Sequence, residues 1–263
     1  MFEFLFAKKR AKEVIVDYPP FEALEIDIHS HLIPGIDDGS PDVFTSVDLI
    51  RELRDLGFKK LITTPHINEL YRNTSDSILD GLNLLKSELK NETIDVEISV
   101  AAEYMINDVF EQMILDDVPL LTLPQNHILV EMPHFSEPVN LHKVLSLLIS
   151  KGYTPVLAHP ERYRHYNGNL IQYQRLKDYG CRFQVNVLSL VGYYGRTVHD
   201  CAWTLLDNRL IEFVGSDLHN YRHLQAFKDN MSAECQHLLN NYPFQNRRLF
   251  KSLKILPELP TNH

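Results

Sequence analysis

A pair of histidines closes the first short apolar run of the chain, in Asp27-Ile-His29-Ser-His31. Side chains of a β-strand alternate between its two faces, so His29 and His31, two residues apart, point to the same side. They could therefore offer two imidazole nitrogens to one metal ion. A single pair of this kind is as readily a pair of histidines at the surface or at the edge of a core. The prediction of a metal site thus depends on further ligands.

More His, Glu and Asp residues stand where later apolar runs end. Each of them alone is typical of a solvated loop residue. Together they would crowd charge at one edge of a sheet, where the groups repel each other and lose hydration unless cations lie among them. The full set has imidazoles and carboxylates but no thiolate, which suits zinc, manganese or iron and fits two or three divalent ions. Its members are His29, His31, Asp38, His66, Glu103, Glu131, His159, Asp217 and His219.

The elements that would position these ligands alternate between short strands and longer helical stretches. The predicted strands are Leu24–His29, Lys60–Thr64, Val96–Glu103, His127–Glu131, Thr154–His159, Arg182–Val187 and Ile211–Asp217. The predicted helices are Pro41–Leu56 with Ser40 as its N-cap, Ser77–Lys90, Leu141–Ser150, Arg196–Asp207 and a long stretch from Leu224 to Leu239. This order predicts an α/β fold with a parallel sheet, closed or nearly closed into a barrel whose chemistry lies at the C-terminal ends of the strands.

Composition narrows the class of protein. The chain has 263 residues, with 26 Lys and Arg against 35 Asp and Glu, a net charge of −9. This balance disfavours nucleic acid or an anionic membrane as the main partner. The cysteines, Cys181, Cys201 and Cys235, are odd in number and widely spaced, which favours a reducing compartment and predicts a cytoplasmic protein. No apolar run reaches the length of a membrane span.

The first residues differ from the rest of the chain. Residues 1–22 have mixed composition and contain Pro19 and Pro20, which cannot continue a helix or an inner strand. We therefore expect an N-terminal leader segment, 1–22, that packs on a single domain formed by residues 23–263.

The motifs, taken in order, resemble the polymerase and histidinol phosphatase (PHP) superfamily. Within it they are most similar to the bacterial manganese-dependent tyrosine-protein phosphatases of capsular and exopolysaccharide gene clusters, the CpsB/YwqE type. The resemblance runs from about Glu25 to the C-terminal region. It rests on Asp27-Ile-His-Ser-His31, Asp37-Asp38-Gly39, Ala102-Glu103-Tyr104, His159-Pro-Glu-Arg-Tyr163 and Ser216-Asp-Leu-His-Asn220.

The resemblance implies a distorted (β/α)7 barrel with a trinuclear site, in which manganese is the first candidate and iron, zinc or magnesium are alternatives. One ion would be held by His29, His31, Glu103 and Asp217. Glu103 would bridge to a second ion, held also by Glu131 and His159, and the third would be held by Asp38, His66 and His219.

Residues beyond the ligands are also assigned by the resemblance. Arg162 matches an arginine that contacts the substrate phosphate. Arg222 is a weaker match for a second one, because the Tyr-Arg-His-Leu that follows Asn220 departs from the expected spacing and composition. Asp27 is interpreted as a carboxylate that orients a ligand histidine. The implied partner is a bacterial tyrosine autokinase that controls polysaccharide synthesis, and an oligomer is compatible with the sequence.

The expected reaction is hydrolysis of phosphotyrosine, with attack by a metal-bridging hydroxide. A thiolate phosphatase needs an arginine six residues after its cysteine, whereas Val187, Asp207 and Asn241 stand six residues after the three cysteines. The sequence therefore excludes the cysteine mechanism.

Two alternatives remain open. A PHP phosphatase for histidinol phosphate or another small molecule would share the fold and most ligands. A non-catalytic, metal-stabilised module that binds phosphoproteins would share the fold without turnover. Tyrosines near the motifs could flank an aromatic substrate: Tyr104, Tyr163, Tyr166, Tyr193 and Tyr194. Asn186 is expected to make a structural hydrogen bond, and histidines outside the ligand set, His134 and His223 among them, are expected at the surface.

Overall fold

A computed structural model describes residues 20–167 and 169–250. In this part of the chain the strands form two sheets, and every strand pair within them is parallel. The first sheet has the order β1 (Ile26–Asp27), β2 (Lys60–Thr63) and β4 (Glu97–Val100). The second has the order β3 (His66–Ile67), β5 (Glu103–Met105), β6 (His127–Glu131), β7 (Thr154–Ala158), β8 (Arg182–Asn186) and β9 (Phe213–Gly215).

The helices that cover these sheets are α1 (Val43–Asp55), α2 (Ser75–Asn91), α3 (Asp108–Leu115), α4 (Leu141–Ser150), α5 (Leu170–Asp178), α6 (Val187–Leu190), α7 (Arg196–Asp207), α8 (Tyr221–Asn230) and α9 (Ala233–Asn241). The predicted bounds of α4 and α7 are confirmed, and α3 and α5 were not predicted. The single helix predicted from Leu224 to Leu239 is wrong. Met231 has an extended backbone that ends α8, and the Ser232 side chain caps α9 by accepting a hydrogen bond from the Cys235 N–H.

The start of α1 also differs from the prediction. The helix begins at Val43, and its N-cap is Asp42, whose side chain accepts a hydrogen bond from the Thr45 N–H. Ser40 lies outside the helix and bonds through its hydroxyl to Ser46 and to the Asp42 carbonyl. A carboxylate at Asp42 supplies a charged acceptor to the free N–H groups of the first turn, so it replaces Ser40 in the capping role.

The chain passes from the first sheet to the second at two places. The strand predicted over Lys60–Thr64 ends at Thr63, and β3, which was not predicted, begins after Pro65, which has no N–H to donate to a ladder. The Thr64 N–H instead donates to the Ser30 carbonyl at 2.7 Å. The strand predicted over Val96–Glu103 is divided into β4 and β5. In the second sheet His66 then pairs with Glu103, so the register itself brings two predicted ligands side by side.

The first and last strands meet at their carboxyl ends. A bridge joins Ser30 to Leu218, and the Asp217 N–H donates to the His29 carbonyl at 2.7 Å. The α/β fold with parallel sheets is confirmed. Closure of the two sheets into one barrel stays a prediction.

The end of the predicted leader belongs to the packing of the domain. Phe21 is fully buried and stacks on Phe58 with ring centroids 4.7 Å apart, and its edge meets Phe227 at 5.9 Å. Phe21, in the predicted leader, therefore packs against the domain, and the boundary at Ala23 stays a prediction. Residues 1–19 of the leader, and residues 251–263 of the predicted domain, lie outside the described part. None of the helices described is long and apolar enough to cross a membrane.

Candidate metal centre

The predicted ligands come together where strands end or begin. His29 follows β1, His159 follows β7 and Asp217 follows β9, and Glu131 is the last residue of β6, whereas His66 and Glu103 are the first residues of β3 and β5. They surround a cavity of about 400 Å³ whose wall includes Asp38, His66, Glu103, Glu131, His159, Asp217 and His219. His29 and His31 form the fully buried floor beneath it. The sequence therefore identified one spatial cluster.

An inner group of His29, His31, Glu103 and Asp217 is buried to 1% exposure or less. The Nε2 atoms of the two histidines are 3.3 Å apart. His29 Nε2 lies 3.2 Å from Glu103 Oε2 and 3.3 Å from Asp217 Oδ1, and His31 Nε2 lies 3.4 and 3.5 Å from the same two oxygens. Both imidazoles thus face both carboxylates, although only His29, His31 and Glu103 have ligand atoms close enough to share one ion.

Glu103 is the centre of the cluster. Besides the inner histidines, its Oε2 lies 3.2 Å from His66 Nδ1, and its Oε1 lies 3.1 Å from His159 Nε2. Both oxygens therefore face potential ligands of different ions, as a bridging carboxylate must. Glu131 Oε1 completes this side at 3.0 Å from His66 Nδ1.

An outer group of Asp38, His66 and His219 lies nearer to solvent. Asp38 Oδ1 is 3.5 Å from His66 Nε2 and 3.7 Å from His219 Nε2. The Asp38 side chain is 53% exposed, and those of the two histidines are 12% exposed. His66 faces Glu103 and Glu131 with one nitrogen and Asp38 with the other, so it could serve either the second or the third predicted ion.

Two residues that the sequence interpretation did not assign hold the inner histidines in place. The Gln184 side-chain oxygen lies 2.7 Å from His29 Nδ1, and Asp37 Oδ2 lies 2.8 Å from His31 Nδ1. An acceptor at Nδ1 fixes the proton there and leaves the Nε2 lone pair free for a metal. Gln184 is itself oriented, because its amide nitrogen donates to the Val185 carbonyl and to Asn186 Oδ1.

Asp27 does not contact the imidazole that it was expected to orient. Its carboxylate accepts hydrogen bonds from the Ser216 N–H at 2.8 Å and the Ser216 hydroxyl at 2.6 Å. It also lies 3.4 Å from the His29 N–H. Burial raises the pKa of Asp27 to about 6, against the lowering effect of these bonds. Asp27 therefore ties the strand end that carries His29 to the one that carries Asp217.

Two candidate ligands have unusual backbone conformations. His159 has φ +36° and Asp217 has φ +50°, in the left-handed region that residues other than glycine rarely adopt. Such strain persists where surrounding structure imposes it, and it is concentrated at functional sites. At both positions a strand turns abruptly at the rim of the cavity.

The charges of the cluster compensate one another through protons. Burial lowers the pKa of His29, but the charges of Glu103 and Asp217 outweigh it and raise that pKa to about 9. Burial has the opposite sign for Glu103, yet His29 and His66 hold its pKa well below the usual range. A divalent ion would take the place of such protons, so binding of a metal should release them.

The donor set fits a metal better than it fits hydrogen bonding. His66 Nδ1 and Glu131 Oε1 are buried and lie 3.0 Å apart, yet neither has a hydrogen bond of acceptable geometry within the described residues. Three groups have ligand atoms close enough to share an ion: His29, His31 and Glu103; His66, Glu103 and Glu131; and His31, Asp38, His66 and His219. His159 and Asp217 are in none of these groups, although His159 contacts Glu103 and Asp217 contacts His29 and His31. The assignment of each ligand to an ion stays a prediction.

The two predicted arginines lie in different places. Arg162 lines the cavity, where its Nη1 is 3.0 Å from Asp217 Oδ2 and its guanidinium lies 4.4 Å from the centre of the Tyr194 ring. Arg222 is exposed on α8 and does not line the cavity, whereas its neighbours Asn220 and His223 do. Only Arg162 is placed to reach a phosphate held at the cluster.

Other residues of the cavity correct expectations from the sequence. His134 and His223 line it, contrary to the surface positions expected for them. Asn186 makes the expected structural hydrogen bond, donating to Asp217 Oδ2 at 2.6 Å. Tyr194 lines the cavity as expected for a residue beside the substrate, together with Tyr71, which stacks on His66. The other candidate tyrosines do not: Tyr104, Tyr163 and Tyr166 are core residues, and Tyr193 is exposed away from the lining.

Comparisons with known proteins agree with this arrangement. The chain is 32% identical over 198 residues to the tyrosine-protein phosphatase YwqE of Bacillus subtilis, which covers 75% of this chain and 78% of the relative. It is 24% identical over 242 residues to a putative tyrosine-protein phosphatase, CapC, of Staphylococcus aureus. That match covers 90% of this chain and 95% of the relative. A structure described as one of YwqE from Bacillus subtilis and CpsB from Streptococcus pneumoniae, unique metal-dependent tyrosine phosphatases, matches with a TM-score of 0.71 at 31% identity. That match covers 82% of this chain and 94% of the other.

The family described as capsular polysaccharide synthesis, CpsB/CapC, matches residues 25–241. This range contains every predicted ligand and begins where the sequence resemblance was expected to begin. The chain therefore belongs to the CpsB/CapC family.

Proposed function

We propose that this protein is a metal-dependent phosphatase that hydrolyses phosphotyrosine in proteins. The observation that carries the proposal is the convergence of imidazoles and carboxylates on Glu103, with Arg162 at the rim of the same cavity. The names of the relatives support it. Two or three divalent ions, with manganese as the first candidate, are the cofactors that we propose.

The metals would lower the pKa of water and offset charge on the phosphoryl oxygens. The chain itself supplies positioning. Gln184 and Asp37 fix the rings of His29 and His31, so the inner group is arranged before the substrate arrives. Arg162 can bind two phosphoryl oxygens with its fork once its contact with Asp217 is exchanged for the substrate. Arg222, exposed near the rim, is proposed to contact the protein substrate outside the cavity.

The cysteines support a mechanism without a thiolate. Burial raises the pKa of the Cys181 and Cys235 thiols to about 12 and that of Cys201 to about 11. A thiol with such a pKa is protonated at neutral pH and is a poor nucleophile. None of the three lines the cavity.

The shape of the cavity favours an aryl phosphate. Tyr71 and Tyr194 flank its polar interior, and Leu70, which is 78% exposed, stands at its edge. These groups can contact the ring of a phosphotyrosine. The proposal extends to a cytoplasmic protein, a sheet closed as a distorted (β/α)7 barrel, and a tyrosine autokinase of polysaccharide synthesis as the partner.

The test is phosphate release with Mn²⁺, with and without a chelator, from a phosphotyrosine peptide and from histidinol phosphate in parallel. We expect chelator-sensitive turnover of the peptide. Preference for histidinol phosphate would assign the chain to small-molecule metabolism instead. Metal binding without turnover of either substrate would favour the non-catalytic module.

A further inference from the structure

Two further cavities adjoin the central cavity on the side of Arg162. The first, of about 200 Å³, shares Arg162, Tyr194 and His134 with the central cavity and adds Phe135, Arg164 and Val198. The second, of about 420 Å³, shares Arg164, Tyr194 and Val198 with the first and adds Asn167, Gly195, Arg196 and Thr197. The three cavities therefore lie in a row, and the two added ones are together called the channel.

The charge of this channel differs from that of the protein. The whole chain carries −9, yet neither of the two added cavities has an Asp or Glu in its lining. Each contains two of the arginines Arg162, Arg164 and Arg196. Another cavity, which shares Asn68 with the central cavity, has Glu69 beside Arg72 and is otherwise lined by amides and apolar residues. The lining of the channel thus has arginines without carboxylates, whereas the lining of this other cavity has one residue of each charge.

Arg164 is the arginine of this channel that is available for a ligand. Its guanidinium lies 5.6 Å from the centre of the Phe135 ring, and no carboxylate of the described residues forms an ion pair with it. By contrast, Arg162 is paired with Asp217 and Arg196 with Asp200. Phe135 is itself 77% exposed, so it offers an apolar surface beside the charge.

We propose that this channel, defined by Phe135, Arg164, Tyr194 and Arg196, binds the part of the substrate peptide next to the phosphotyrosine and selects a second anionic group there. The inference rests on the proposed function and deepens it by naming the substrate class: a phosphotyrosine peptide with a neighbouring carboxylate or a second phosphate. Both groups match the planar guanidinium fork.

The experiment measures kcat and KM of the full chain, in the presence of Mn²⁺, for four substrates. They are p-nitrophenyl phosphate, a phosphotyrosine peptide with neutral neighbours, the same peptide with glutamates before or after the phosphotyrosine, and one with a second phosphotyrosine. We expect the anionic peptides to have lower KM than the neutral one, by about tenfold for a charge-assisted pair. The glutamate and phosphate arms show which anion is preferred.

Three variants test which arginine lowers KM for the anionic peptides. Arg164→Gln should raise KM for the anionic peptides about tenfold, with kcat nearly unchanged and with little effect on p-nitrophenyl phosphate. Arg196→Gln should raise KM for the anionic peptides about threefold or less, because the Arg196 side chain is 93% exposed and paired with Asp200. Arg175→Gln, an exposed arginine on α5 outside these cavities, is the matched control and should change nothing.

Equal kcat/KM for neutral and anionic peptides in the wild-type protein would overturn the inference and leave the proposed function standing. The inference also fails if Arg164→Gln lowers p-nitrophenyl phosphate turnover as much as peptide turnover. No turnover of any substrate, p-nitrophenyl phosphate included, would overturn the proposed function and the inference together.

Discussion

The inner and outer groups of the metal cluster are built from the same residue types but are held differently. In the inner group the second ring nitrogen of each histidine has a side-chain acceptor, Gln184 for His29 and Asp37 for His31. In the outer group Asp38 is more than half exposed, and His66 Nδ1 has no hydrogen bond of acceptable geometry within the described residues, although the Asp217 backbone carbonyl lies 2.9 Å from His219 Nδ1. Ligands fixed in advance lose less conformational entropy when a metal binds. We therefore expect the inner group to bind its ion more tightly than the outer group.

The largest effect is expected from Glu103→Gln. This carboxylate faces His29, His31, His66 and His159, so its loss removes a charge shared by several ligands and should lower kcat about 1,000-fold with loss of bound metal. Kinetics with phosphotyrosine peptide and metal analysis measure both effects.

Glu161→Gln is the matched control for that variant. Glu161 is a fully buried carboxyl at the same end of the strands, but it accepts hydrogen bonds from the Asn186 N–H and the Ser189 hydroxyl. Its variant should retain metal. Similar metal loss in both variants would mean that general destabilisation, rather than ligation, explains Glu103→Gln.

A smaller effect is expected from Gln184→Leu, which removes the acceptor that orients His29. Loss of such a partner weakens metal binding by about 10- to 100-fold, and titration with Mn²⁺ measures it. Gln184→Glu keeps an acceptor opposite His29 Nδ1 and should restore part of the affinity. Equal affinity in Gln184→Leu and the wild-type protein would refute the positioning role.

Asp38→Asn tests the outer group. Since Asp38 is exposed and contacts only one side of the cluster, we expect the variant to lose one metal ion per chain and to lower kcat/KM about tenfold. Metal analysis after gel filtration gives the stoichiometry, and Asp55→Asn, an exposed aspartate on α1, serves as the control. Loss of all metal from Asp38→Asn would show that the two groups do not bind independently.

No effect is expected from replacing all three cysteines by serine. Their thiols lie outside the cavity and have raised pKa values, so kcat should stay within about twofold of the wild-type value. A folded but inactive triple variant would contradict the metal mechanism.

The sequence predicted the residues of the cluster well because the ends of apolar runs are visible in it. A short apolar run that stops at His or Glu marks the end of a strand, and β6 has the predicted bounds for this reason. Parallel strands bring their carboxyl ends to one edge, so most of the cluster follows without knowledge of strand order. That these residues bind metal stays a prediction.

The supporting residues could not be predicted in the same way. Gln184 lies within a strand, 155 residues from the histidine that it orients, and no local pattern links the two. Asp27 was expected to orient the ring of a ligand histidine, but its carboxylate accepts hydrogen bonds from Ser216 across the junction of the first and last strands. Pairing between distant strands decides such contacts. The unpredicted strand after Pro65 and the division between Val100 and Glu103 likewise depend on which sheet each segment joins.

The most direct test of the central claim is the metal content of the purified wild-type protein and of Glu103→Gln, measured together with phosphotyrosine turnover before and after removal of metal. We predict two or three divalent ions per chain in the wild-type protein, loss of turnover when a chelator removes them, and recovery when Mn²⁺ is restored. Turnover that persists in the metal-free protein, or in Glu103→Gln without bound metal, would contradict a metal centre built around Glu103.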